Sequence, residues 1–194
     1  DNGEVAFWAT QSGAGNWADF AIFSGDGSSL TRRFDQSDLS PVADPFYHNF
    51  NICLSMNDGG WITAVPSTWE AIPDSAHTKV ATFVYLLPPS GSPVLLAETS
   101  EAADGWNYRQ YGTAVINNSN RVLATHSSES SFVPAGITQF FGGQPTEVYT
   151  TTNAISGLGL NDNHEFAYLE RSGSFILAYE LFWQRQGGTP PQNI

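Results

Sequence analysis

Asn57-Asp58-Gly59-Gly60-Trp61-Ile62-Thr63-Ala64 is a polar turn feeding an apolar strand, and the chain repeats it. The same order of residue types stands at Asp1-Asn2-Gly3-Glu4-Val5-Ala6-Phe7, at Asn117-Asn118-Ser119-Asn120-Arg121-Val122-Leu123-Ala124 and at Asn161-Asp162-Asn163-His164-Glu165-Phe166-Ala167-Tyr168. The fourth turn position is Gly3, Gly60, Asn120 and His164 in turn, residue types that tolerate positive φ. These positions lie 57, 60 and 44 residues apart. A period of roughly 40–50 residues suits a four-stranded propeller blade.

The surroundings of each turn repeat as well. An apolar stretch precedes three of them: Phe50 to Met56, Gly112 to Ile116 and Ile155 to Leu160. A second apolar stretch follows each, at Phe20 to Phe23, Val80 to Leu87, Ile137 to Phe141 and Phe175 to Phe182. Gly-containing turns (Gly25-Asp26-Gly27, Ser90-Gly91, Gly142-Gly143) then lead to weaker stretches at Leu30 to Phe34, Val94 to Glu98 and Glu147 to Thr151. Short strands separated by turn signals at regular spacing indicate an all-β sandwich, barrel or propeller, and the period favours the propeller. The expected fold is an all-β, propeller-like array of about four antiparallel four-stranded repeats. It forms a single domain over 1–194, with repeats near 1–48, 49–108, 109–152 and 153–186 and a tail at 187–194.

The unit Asp1-Asn2-Gly3-Glu4-Val5-Ala6-Phe7, followed by Ala21-Ile22-Phe23-Ser24-Gly25-Asp26-Gly27, resembles the tandem NxxGxxAF repeats of bacterial exported proteins. The second copy keeps Asn57 and Gly60, while the third and fourth have Asn120 and His164 in place of the glycine. The resemblance spans nearly the whole chain and implies propeller-like repeats outside the cytoplasm. It brings no catalytic residues with it. In this frame the first copy lacks an upstream strand, and the segment after Trp183 is short and broken by Gly187-Gly188 and Pro190-Pro191. Three arrangements answer that: a piece of a longer propeller, open ends that pair with neighbours in an oligomer or fibre, or a compact ring of four irregular blades.

Composition narrows the function. The 194 residues carry 19 acidic and 7 basic side chains, a formal net charge of −12, and only 13% charged residues. A sequence this acidic repels nucleic acid and anionic membranes, so neither is an expected partner, and no apolar run is long enough for a membrane helix. Lys79 is the only lysine, so the solvated surface is built from Ser, Thr, Asn, Gln and Gly. That composition suggests a secreted or cell-surface protein. Cys53 cannot form an internal disulfide and reads as a small hydrophobe in a strand.

Site candidates are few. Asn57, Asp58, Asn161, Asp162 and Asn163 are oxygen ligands of the kind Ca²⁺ takes, but they also cap tight turns, and no Ca²⁺-loop spacing is present. No cofactor or metal is expected. His48, His77, His126 and His164 show no zinc spacing, and His164 reads as a turn residue. Asp35, Asp38 and Asp44, with Glu98, Glu101 and Asp104 at the equivalent place in the next repeat, are the carboxylates a glycosidase reading would use. The enzyme signal is weak throughout. Trp17, Trp69, Trp106 and Tyr108, with Tyr47 and Tyr111, are read in polar connecting segments, where aromatics beside Asn and Gln stack on sugar rings. Trp8, Trp61 and Trp183 read as strand residues. Asn117-Asn118-Ser119 is a formal glycosylation acceptor inside a repeat turn.

The expected function is an extracellular or surface structural or adhesion protein that assembles with copies of itself or other surface proteins through open strand edges. The alternatives are a lectin-like module that binds glycans through Trp17, Trp69, Trp106 and Tyr108, and a fragment of a carbohydrate-active enzyme.

Overall fold

The structure, a computed structural model, describes residues 3–13, 16–39, 53–71, 78–99, 109–128, 135–142, 144–172, 178–185 and 192–193. It is all-β, as the sequence indicated, and its strands form four antiparallel sheets in chain order. Sheet A holds β1 (Val5–Gly13), β2 (Asn16–Gly25) and β3 (Leu30–Asp35), with a single 3-10 turn at Gln36–Asp38 behind it. Sheet C is a meander of β9 (Arg109–Ile116), β10 (Val122–Ser128), β11 (Ala135–Phe141) and β12 (Gln144–Thr151). Sheet D repeats it with β13 (Ile155–Leu160), β14 (Glu165–Ser172), β15 (Ala178–Arg185) and β16 (Gln192–Asn193).

Sheet B looks irregular until proline chemistry is applied. It contains β4 (Leu54–Met56), β5 (Ile62–Ala64), β6 (Ser67–Ala71), β7 (Thr78–Leu87) and β8 (Val94–Thr99). Both β5 and β6 pair with β7, Ile62 opposite Leu87 and Ala71 opposite Thr78, so together they run along one edge of it. Between them sits Pro66, which has no N–H to give a ladder. Its carbonyl still accepts from the Phe83 N–H at 3.0 Å. The two are one strand interrupted by a proline, and sheet B is the same four-stranded meander.

Each turn between first and second strands has one geometry. Gly60, Asn120 and His164 donate their N–H to the carbonyls of Asn57, Asn117 and Asn161 at 3.0, 3.0 and 3.2 Å. The fourth positions are left-handed as expected: φ is 75° at Gly3, 73° at Gly60, 59° at Asn120 and 64° at His164. This is the three-residue hairpin loop in which a type I turn is followed by one left-handed residue.

The sheets pack face to face in sequence. Ile22 and Phe34 of sheet A bury against Ile62, Ala64, Phe83 and Tyr85 of sheet B. The opposite face of sheet B, with Val65 and Val84, buries against Ala114, Val122, Ala124 and Phe140 of sheet C. Leu123 and Ile137 on the far face of sheet C then meet Phe166 and Tyr168 of sheet D. Two-sided burial explains why strands such as Val122-Leu123-Ala124 are apolar at consecutive positions instead of alternating. The strands before the turns also neighbour one another across sheets, β4 beside β9 and β9 beside β13, and β1, which follows its turn, lies beside β4. Among the described residues, no buried cluster joins sheet A to sheet D.

Candidate functional site

The repeated turns meet along one edge of the stack, and their asparagines do two jobs at once. In its own turn Asn117 Oδ1 accepts from the N–H groups of Ser119 and Arg121 at 3.1 and 3.0 Å. Its Nδ2 reaches the following turn and donates to the Asn161 carbonyl, 3.1 Å away, with His164 Nδ1 at the same distance. Asn57 does the same one step earlier. It accepts from the Trp61 N–H at 3.0 Å and donates to the Asn117 carbonyl at 2.9 Å and to Asn120 Oδ1 at 2.8 Å. An aspartate could cap its own turn in this way but has no amide to give the neighbour. The left-handed residues Asn120 and His164 supply the ring or amide atoms that glycine would lack, which accounts for their departure from glycine.

A second, exposed ladder runs beside the first. The Asp58 N–H donates to Asn118 Oδ1 at 2.9 Å, and the Asn118 N–H donates to Asp162 Oδ1 at 2.8 Å. Asn118 Nδ2 donates to both carboxylates at 2.9 Å. At the last turn the pattern stops, because Asn161 Nδ2 donates to Glu165 Oε2 of its own turn at 2.9 Å. Between sheets A and B the link is Arg33, whose guanidinium donates to Ser24 Oγ at 2.7 Å, to the Gly60 carbonyl at 2.8 Å and to the Pro88 carbonyl. Burial lowers the affinity of this guanidinium for its proton, while Glu4 alongside raises it.

The polar turn residues are thus structural. Asp26 likewise caps its turn, accepting from the Ser28 N–H and hydroxyl and the Ser29 N–H, and these bonds hold its carboxyl near a pKa of about 2. Asp35 accepts from Ser37, chiefly through its hydroxyl, which holds the carboxyl below the usual range, and it pairs with Arg32 at 2.8 Å. Asp38 accepts from the Asp35 N–H at 2.8 Å, so both carboxylates serve the turn after β3. Glu98 is exposed on β8, and Asp44, Glu101 and Asp104 lie outside the described residues. His126 is buried with Nε2 2.8 Å from Glu147 Oε1, while His48 and His77 lie outside the described residues. Cys53 precedes β4, half-buried, with Sγ 3.8 Å from Thr113 Oγ1. Asn117 is buried and its Nδ2 is engaged, so the folded turn does not present it as a glycosylation acceptor.

Trp17 lies within β2 and Trp69 within β6, in different sheets and in strands instead of the connecting segments read from sequence. Polar neighbours (Asn16 and Asp19; Ser67, Thr68 and Glu70) hid those strands. Trp106, Tyr108 and Tyr47 lie outside the described residues. Tyr111 packs into the cluster between sheets B and C, with its ring edge-on to His126 and Phe140. In the tail, Gln192 and Asn193 of β16 pair with Trp183 and Phe182 and so belong to sheet D.

Besides the ladder, sequence reading missed the outer faces of the two terminal sheets. Val5, Phe7 and Leu30 are exposed on sheet A, and Leu169 and Leu181 on sheet D. The signal was present in Val5-Ala6-Phe7-Trp8-Ala9, apolar on both faces like the covered strands of sheets B and C. Among the described residues, no helix is long and apolar enough to cross a membrane. No protein family, curated protein or solved structure matches this chain.

Proposed function

We propose that this is a structural or adhesion protein, secreted or held at a cell surface, whose four sheets are blades of a propeller-like array and whose role is to assemble and bind instead of catalyse. The observation that carries the reading is the turn ladder. The most repeated polar residues of the chain fasten one sheet to the next, so the repeat is a device for building an extended scaffold. The propeller reading is supported by the first strands β4, β9 and β13 lying side by side in successive sheets. The extracellular placing is supported by the low charged fraction, the single lysine and the resemblance to exported repeat proteins.

The test combines three measurements on the purified chain: polysaccharide hydrolysis, glycan-array binding and mass in solution. A scaffold shows concentration-dependent mass and no turnover. Hydrolysis abolished by Asp35→Asn or Asp38→Asn would refute the reading in favour of an enzyme. Glycan binding lost in Trp17→Ala or Trp69→Ala would replace it with a lectin.

A further inference from the structure

The terminal faces can be compared position by position with the covered ones. Counting from the left-handed turn residue, Val5 corresponds to Ile62, Val122 and Phe166, and Phe7 corresponds to Ala64, Ala124 and Tyr168. All six counterparts are at most 2% exposed, yet Val5 is 59% and Phe7 39% exposed. Directly beside them, Phe23 pairs with Phe7, their rings stacked at 5.8 Å, and Leu30 joins Val5 through Gly25. Ala6 points the other way into the cluster with sheet B, which fixes this as the outer face.

The same holds in mirror fashion at the other end. Leu169 corresponds to Val65 and Thr125 of the two middle sheets, and Leu181, its cross-strand partner, to Val84 and Ile137. Those four are buried, whereas Leu169 is 36% and Leu181 41% exposed. Trp183, opposite Ala167, extends the patch along the same face. Phe166, Tyr168 and Phe182 face sheet C, so this face too is outward.

Each interface inside the chain sets the latter kind of face against the former, Val65 and Val84 against Val122 and Ala124, then Leu123 and Ile137 against Phe166 and Tyr168. We infer that the outer face of sheet D docks on the outer face of sheet A of a second copy, continuing the stack head to tail. The occupant is another copy because the exposed residues are, in register, those that match one another inside the chain. The turn ladder takes no part, since Asn161 closes on Glu165. Such a contact is heterologous: each copy keeps one free face of each kind, so association propagates. This inference rests on the assembling-scaffold reading and adds the surfaces and their polarity.

The decisive experiment blocks one face at a time. Phe7→Asp spoils the sheet A face and Leu181→Asp the sheet D face; Leu30→Asp and Leu169→Asp are second choices should a far-ultraviolet circular dichroism spectrum show that either fails to fold. By light scattering after size exclusion, the unaltered chain should grow in mass with concentration, beyond twice its 21.0 kDa. Each variant alone should remain at the single-chain mass. An equimolar mixture should double that mass and go no further, because the intact face of one variant meets the intact face of the other. An unaltered chain that stays at the single-chain mass at every concentration overturns the inference. So does a mixture that fails to combine, which marks closure within one chain or a different partner. Assembly that persists in both variants overturns these faces but leaves the scaffold reading standing, whereas polysaccharide turnover would remove the scaffold reading itself.

Discussion

Replacing Asn117 with aspartate isolates the half of its role that only an amide can fill. The Oδ1 bonds from the Ser119 and Arg121 N–H groups survive, so the turn keeps its own cap. What is lost is Nδ2, and with it the bonds to the Asn161 carbonyl and His164 Nδ1, both at 3.1 Å. Each lost bond removes about 1 kcal/mol, while the Asn161 carbonyl keeps the His164 N–H as a donor at 3.2 Å. The total is about 2 kcal/mol. In a chain of this length that lowers the melting temperature by roughly 4–8 °C. Asn57→Asp should behave alike, since its Nδ2 makes the corresponding bonds at 2.9 and 2.8 Å. Asn161→Asp should cost less than half as much, because its amide makes only an exposed bond to Glu165 of its own turn. Asn163→Asp is the control, as its backbone N–H serves the turn. Thermal and urea unfolding followed by circular dichroism measure all four. The reasoning fails if Asn117→Asp falls within about 1 kcal/mol of the unaltered protein, or no further than the control.

Three other perturbations follow from the same structure. Arg33→Lys removes the fork that spans Ser24, Gly60 and Pro88, and should cost about 2 kcal/mol in urea unfolding despite the retained charge. Gly136→Ala places a methyl 2.4 Å from the Tyr149 carbonyl and 2.8 Å from both Glu147 Oε1 and His126 Nε2, so it should destabilise by about 3 kcal/mol. Glu170 is buried; burial raises its pKa, but bonds from Tyr149, Asn153 and Thr151 outweigh that and hold it below the ordinary carboxylate value. A lowered folded-state pKa means stability present above the unfolded value of 4.5 and lost as pH falls through the folded one, so Glu170→Gln should flatten the acid side of the stability profile measured by thermal melts.

The strands were legible where they flank a repeated turn. Ile155 to Leu160 is β13 to the residue, and the left-handed positions follow from Gly3, Gly60, Asn120 and His164. They failed to show where polar side chains diluted the pattern, as at Asn16-Trp17 and Ser67-Thr68-Trp69, or where Pro66 cut a strand in two. The ladder could not be read at all. Its bonds join residues 44 to 63 positions apart, and a lone sequence says only that each asparagine suits a turn. The exposed faces were hidden for a related reason: Val5 and Phe7 look like any core residues until the sheets are ordered and one face is found without a neighbour.

That ordering has its own chemical basis on the wet side of the turns. The second turn position is Asp58, then Asn118, then Asp162, so an amide lies between two carboxylates and bonds to both. Each such bond is exposed and individually weak. Their value lies in what they exclude. Were sheet D to follow sheet B directly, the carboxylates of Asp58 and Asp162 would face each other with no side-chain amide between them, two like charges held close by the Asp58 N–H alone. Asn57 would at the same time meet a turn with His164 in place of Asn120. The apolar faces of the sheets are similar enough to stack in several orders, since all present aliphatic and aromatic side chains at the same register. The alternating turn residues break that degeneracy, which is a use of weak polar contacts for specificity instead of stability. A chain of repeats that share one turn geometry needs such marks more than an irregular domain does, because misordered stacking is the error its own repetition invites.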